Sequence, residues 1–263
     1  MDLGLKDKVA IIGGASRGLG KACAMALAAE GARVAICARG QQQLTDTAKE
    51  ITDTTGSKVL PIVADMASLE DIKRAVAETV KVFGRLDIAV SNAGGPPTGQ
   101  AIDITEEQWK LALDQNMLSA IRLSRESVPH MRKAGGGRII NILSRTVKQP
   151  EENMALSNAA RLGLLGFAKT LATEVAKDRI LVNNVLPGSI LTDRLKSLMI
   201  GNAQRQGKTY EQILAEEQGM VPLGRLGRPE ELGGLVAFLA SDKASYINGC
   251  TIQVDGGRIK AIL

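Results

Sequence analysis

The sequence predicts an α/β fold: a doubly wound parallel sheet of about seven strands with helices on both faces, in a single domain over residues 1–263. Three observations predict it. Short β-branched runs alternate with longer segments of helical period along the whole chain. Most of those runs are apolar throughout rather than alternating, as parallel strands covered on both faces require. A glycine-rich turn, Gly13-Gly14-Ala15-Ser16-Arg17-Gly18-Leu19-Gly20, stands between the first run and the first helical segment.

In chain order, strands are expected at Val9–Ile12, Arg33–Cys37, Val59–Val63, Leu86–Val90, Arg138–Leu143, Ile180–Val185 and Thr251–Val254. Helices are expected near 18–30, 41–54, 69–83, 105–133, 153–177 and 229–240. Ser68-Leu69-Glu70-Asp71 and Thr105-Glu106-Glu107-Gln108 read as capping boxes, because a hydroxyl there can satisfy a free N–H of the first helical turn. Pro229 suits a first turn, where its missing N–H costs nothing. The polar, Gln-rich stretch 193–220 shows no period and is too long for a simple connection, so it is expected to be an irregular, lid-like insertion on the substrate side.

Composition bounds the function. A hydrophobic fraction of 44% and a charged fraction of 23% exclude a disordered or low-complexity chain. Lys+Arg exceed Asp+Glu by 33 − 28 = 5, and part of the excess falls in Arg122–Lys148. That segment carries no aromatic stacking residue, so it reads as a solvated helix face or an attractor for an anionic ligand, not as a nucleic-acid site. Cys23, Cys37 and Cys250 lie far apart in apolar contexts, which predicts buried thiols, no metal site and a reducing, cytoplasmic setting. No apolar run has the roughly 18 residues of a membrane span.

The loop carries the first chemistry. Glycines let the backbone turn sharply and approach a pyrophosphate, and the next helix offers free N–H groups and a positive dipole end. The spacing Gly14-x-x-x-Gly18-x-Gly20 departs from the general Gly-x-Gly-x-x-Gly fingerprint, but its place between strand and helix marks a Rossmann-type dinucleotide site. An acid at the end of the second strand would bind a ribose 2′-hydroxyl. The strand instead ends Ile36-Cys37-Ala38-Arg39, and Arg39 with Arg17 can pair with a 2′-phosphate, which favours NADP(H).

Further motifs lie in order along the chain. They are Asp65, then Ser91-Asn92-Ala93-Gly94, Asn116, Arg138-Ile139-Ile140-Asn141-Ile142, Pro187-Gly188-x-Ile190-x-Thr192, and Gly249 with Val254-Asp255-Gly256-Gly257. With the glycine loop they make the whole chain resemble the short-chain dehydrogenase/reductase family, most closely its 3-oxoacyl-acyl-carrier-protein reductases. The resemblance implies cofactor-binding roles for Gly14, Ser16, Arg17, Gly18, Leu19 and Gly20. It implies that Asp65 and Met66 border the adenine, and Asn92, Ala93 and Gly94 the ribose and crevice. Pro187, Gly188, Ile190 and Thr192 would hold the nicotinamide carboxamide and the pyrophosphate. It also implies a homotetramer, built by pairing the long helices near 105–133 and 153–177 and by contacts near the C-terminal strand.

The pattern breaks at the chemistry. Such enzymes use a Ser, a Tyr and a Lys, the last two four residues apart on one helix. Ser144 matches the serine, but the register places Ser157 at the tyrosine and Arg161 at the lysine position. A serine hydroxyl is shorter and far less acidic than a phenol, and a guanidinium keeps its proton. Lys148, four residues after Ser144, is the candidate replacement, since a lysine desolvated beside a cofactor can act as an acid near neutrality. Water relayed near Asn116 is the other source. The chain therefore reads as an NADP(H)-dependent oxidoreductase acting on a small carbonyl or alcohol substrate, with an atypical proton donor. Two alternatives stay open: an NADP(H)-binding protein without turnover, and a non-redox reaction on the same scaffold.

Overall fold

The computed structural model describes residues 1–262; Leu263, the last residue of the expected single domain, lies outside the described residues. Seven parallel strands form one sheet: β1 (Val9–Gly13), β2 (Arg33–Ala38), β3 (Val59–Val63), β4 (Ile88–Ser91), β5 (Gly137–Ile142), β6 (Ile180–Pro187) and β7 (Thr251–Val254). Their order is β3-β2-β1-β4-β5-β6-β7. Ile11 pairs with Ala35 on one side and Ala89 on the other, so β1 is flanked by β2 and β4 and the strand order reverses there. In open α/β sheets a ligand crevice lies outside the carboxyl ends of the strands at such a point.

The helices follow from the buried residues. On one face α1 (Gly18–Ala29), α2 (Gln41–Thr55) and α9 (Pro229–Ala240) pack through Leu27, Ile51 and Val236 onto Ala10, Ile12 and Ile36. On the other, α3 (Leu69–Phe83), α5 (Ser119–Ala134) and α6 (Ala155–Glu174) pack through Ile72, Leu123 and Ala172 onto Val9, Ile11 and Ala35. Alternate residues of β1 thus enter two different cores, which is why the strand reads as apolar throughout. The low aromatic content fits close layers. A Cβ at Gly233 of α9 would stand 2.7 Å from the Ala22 carbonyl oxygen of α1.

Three expectations need correction. The helix expected over 105–133 is α4 (Glu106–Leu113) and α5 joined by a π-helical turn at Asp114–Leu118. The stretch 193–220 is not irregular: it forms α7 (Asp193–Gln206) and α8 (Tyr210–Gly219) around a small cluster of Met199, Ala203, Ile213 and Leu226. Four buried side chains are too few to print a helical period on a polar sequence, although the Thr209/Gln212 capping box that starts α8 was there to read. Cys23 and Cys37 are buried, and burial pushes both thiols up to about 12, whereas Cys250 is exposed at the start of the edge strand β7. Among the described residues no helix is long and apolar enough to cross a membrane.

Candidate active site

The glycine loop is held from below by Asn92 at the end of β4. Its Nδ2 donates to the Gly13 and Gly14 carbonyls at 3.3 and 3.1 Å. Gly14 has φ +58°, and a Cβ there would lie 2.8 Å from the Asn92 carbonyl oxygen. A Cβ at Gly20 would collide with the Gly14 carbonyl. Only glycine lets the loop fold this closely onto β4 and deliver the α1 N-terminus to the crevice. Arg17, the residue before α1, makes no side-chain cap, and Thr47 Oγ1 of α2 ties down the Ser16 carbonyl at 2.8 Å.

Above the β1/β4 switch point lies an open crevice of about 640 Å3. Gly14, Ser16, Arg17, Gly18 and Leu19 line it on one side, with Arg39 at the end of β2 and Asp65 and Met66 after β3. Asn92, Ala93, Gly94, Arg161 and Thr192 complete the predicted residues along its wall. Arg17 and Arg39 are exposed and take part in no ion pair among the described residues. Asp65 shapes its own turn: its carboxylate accepts from the Ala67 N–H at 3.0 Å, and its N–H donates to Asp71 at 2.8 Å. That N–H, followed by the Arg74 guanidinium, holds the Asp71 carboxyl below the usual carboxylate range.

Gly20, Pro187, Gly188 and Ile190 do not line the crevice. Gly20 supports the loop. The Gly188 N–H donates to the Val254 carbonyl at 2.9 Å, and a Cβ on Gly188 would meet Asp255 at 2.6 Å, so the end of β6 is pinned against the end of β7. Ile190 is buried and bridges to Gly227. Those contacts set Thr192, whose Oγ1 accepts from the Leu195 N–H and starts α7 at the crevice edge.

Of the five candidate catalytic residues, Ser144 and Arg161 stand at the carboxyl end of β5. Ser144 follows that strand, and its Oγ accepts from the Thr146 N–H at 3.2 Å and from Thr146 Oγ1 at 3.0 Å. Lys148 ends the short turn that follows and is half-buried. Asn116 lies in the π-helical turn, buried, with Nδ2 donating to the Ala112 carbonyl and Oδ1 left without a partner. Ser157 is buried in the first turn of α6. Arg161, one turn on, is only 7% exposed and sends Nη1 to the Ile142 and Leu143 carbonyls at 3.1 and 2.8 Å. Its Nε has no partner, no carboxylate pairs with it among the described residues, and burial lowers its pKa to about 10. Of the five, only Arg161 lines the crevice.

Sequence reasoning missed Gln115, Leu143, Asp193 and Arg194 of the crevice wall. Gln115 and Leu143 adjoin predicted residues, and Asp193 and Arg194 directly follow Thr192. It also gave no role to Asn141. This buried side chain accepts from Ser91 Oγ at 2.7 Å and donates to Asn184 Oδ1 at 3.0 Å, linking β4, β5 and β6 under the site. The basic segment is largely spent inside the molecule: Arg122 pairs with Asp114, Arg132 with Asp178, Arg138 with Asp242 and Arg145 with Glu151.

Comparison with known proteins supplies the context. A family model described as enoyl-(acyl carrier protein) reductase matches residues 14–258. A 3-oxoacyl-[acyl-carrier-protein] reductase of Escherichia coli is 39% identical over 258 residues, covering 97% of this chain and 98% of its own. A short chain dehydrogenase/reductase of Aspergillus oryzae is 37% identical over 255 residues, covering 96% and 95%. The crystal structure of L-sorbose reductase from Gluconobacter frateurii, complexed with NADPH and L-sorbose, matches with a TM-score of 0.95 at 36% identity, covering 100% of both chains. An actinorhodin polyketide ketoreductase structure with NADPH matches at 0.91 and 32% identity, covering 95% of this chain and 97% of its own.

Proposed function

The chain belongs to the short-chain dehydrogenase/reductase family, and from that premise we propose that it is an NADP(H)-dependent oxidoreductase of a small carbonyl or alcohol compound. The observation that carries the reading is the crevice at the β1/β4 switch point, with Arg17 and Arg39 on its wall and, among the described residues, no carboxylate partner for either. Two unpaired guanidiniums fit a 2′-phosphate and leave a bare ribose without the acid that would bind it. The solved relatives with NADPH support the same choice. Asp65 and Met66 would flank the adenine, Asn92 to Gly94 the ribose, and Thr192 with the α7 N-terminus the pyrophosphate and carboxamide. Bound there, the cofactor supplies or accepts a hydride.

Ser144 would polarise the substrate carbonyl. Two donors from Thr146 occupy its lone pairs, which leaves its own proton to give. With Ser157 in place of a phenol, Lys148 is the side chain we assign as proton donor, with water held at the free Asn116 Oδ1 as its relay. A 3-oxoacyl or a polyhydroxy ketone substrate fits the chemistry of the relatives. Ser157 and Arg161 also favour a second reading, a protein that binds NADP(H) and does not turn over. Initial rates of NADPH and NADH oxidation with 3-oxoacyl thioesters and polyhydroxy ketones test both. The redox reading expects turnover with at least one substrate, NADPH preferred about tenfold or more, and Arg39→Ala losing that preference at a cost of about 1.5–3 kcal/mol in NADPH binding. Equal use of NADH, or no turnover at all, counts against it.

A further inference from the structure

Arg161 is a buried cation without an anion. It sits on α6 with 7% of its surface exposed, and no carboxylate lies within ion-pair distance among the described residues. Among the described residues its only hydrogen-bond partners are two neutral acceptors, the Ile142 and Leu143 carbonyls at the end of β5, both taken by Nη1. Nε is buried with nothing to bond. A charge in this state is costly, and a ligand bearing negative charge offsets the cost. Three features make the guanidinium ready for one: it lines the crevice, its two carbonyl bonds fix its plane, and Leu143, which it grips, is the residue before Ser144. The short Ser157, one turn earlier on the same helix, places no bulky ring over it.

We propose that Arg161 forms an oxyanion subsite at the substrate end of the crevice, which takes the substrate oxygen as it becomes an alkoxide and, by the same charge, a small carboxylate. The proposal deepens the redox reading above and rests on it for the alkoxide. In the reductive direction a hydride brings its electron pair to the carbonyl carbon. The C=O π pair moves onto oxygen, and that negative charge develops between the Arg161 guanidinium and the Ser144 hydroxyl. A proton from Lys148, or from water, then completes the alcohol, and the nicotinamide is left oxidised. Arg161 keeps its own proton throughout: burial lowers its pKa, but only to about 10, so it stays charged at neutrality. Its part is electrostatic stabilisation and not proton transfer.

Calorimetric titration of the protein–NADP+ complex with isobutyrate tests the subsite without turnover. The wild type should bind isobutyrate, Arg161→Met should weaken that binding about tenfold or more, and Arg161→Lys should restore most of it. NADP+ affinity, read by fluorescence, should change less than about threefold in both. Arg161→Gln, which can still hydrogen-bond the β5 carbonyls and lacks the charge, gives the same comparison if the Met variant does not fold. No isobutyrate binding in the wild type, equal binding in the uncharged variants, or a loss falling on NADP+ affinity instead overturns the proposal. Arg161-dependent isobutyrate binding in a protein that oxidises no NADPH would sink the redox reading and leave the anion subsite standing. Turnover without Arg161-dependent binding would do the reverse.

Discussion

Lys148 closes the turn after Ser144, half-buried and outside every ion pair among the described residues, while its neighbour Arg145 is locked on Glu151 at 2.7 Å. We propose that this amine, four residues after Ser144, delivers a proton to the substrate oxygen, and removing a positioned acid typically costs 10²–10⁴ in rate. Lys148→Ala should therefore lower kcat about 100-fold and leave NADPH affinity unchanged, as steady-state kinetics and fluorescence titration would report. A full rate in that variant would remove Lys148 from the chemistry. At this scale the sequence was legible in part. Residue identity and helical spacing put Arg161 on the face of Ser157, but they did not say that its head turns to two strand carbonyls and leaves Nε orphaned. That depends on where β5 ends relative to α6, which is a tertiary fact. Cys250 failed for a different reason: its immediate neighbours Asn248, Gly249 and Thr251 are not apolar, and it stands exposed just before the edge strand β7.

The elements were more legible than their interruptions. All seven strands lie within a few residues of their expected positions; for the five inner ones the reason is that a strand buried on both faces must be apolar along its length, whereas the edge strands β3 and β7 are mostly half-buried or exposed. The π-helical turn at Asp114–Leu118 left no trace in the periodicity, since one inserted residue shifts the phase of a mostly polar helix that has little phase to show. We propose that the same helices carry a homotetrameric assembly. Leu162 of α6 is 53% exposed and Leu111 of α4 is 47% exposed, with Ala159 and Gly166 exposed on the α6 surface. Small residues beside exposed leucines suit close helix–helix docking, which supports our proposal of a homotetramer paired through α4, α5 and α6. Light scattering should return four times the 27.8 kDa chain mass, and Leu162→Glu should dissociate the assembly; a wild-type monomer would contradict it.

Across the molecule, one sheet does two jobs. Its two faces bury the separate cores that fix the strands, and its carboxyl edge gathers the glycine loop, the arginines without carboxylate partners and the β5 residues into one crevice. The cofactor half of that crevice was readable because phosphate recognition is local: glycines, a helix start and an arginine at a strand end lie close in sequence. The expected catalytic residues were not legible in this way: of them only Arg161 lines the crevice, and its place depends on where α6 packs against the end of β5, which no local pattern encodes. The central claim is that this crevice passes a hydride between a nicotinamide and a carbonyl carbon. The most direct test gives the protein a ketone substrate with NADPH carrying deuterium at both hydrogen positions of C4 of the dihydronicotinamide, and reads the alcohol by mass spectrometry. The account predicts deuterium on the carbinol carbon; an unlabelled alcohol, or none from NADPH that is demonstrably bound, would contradict it.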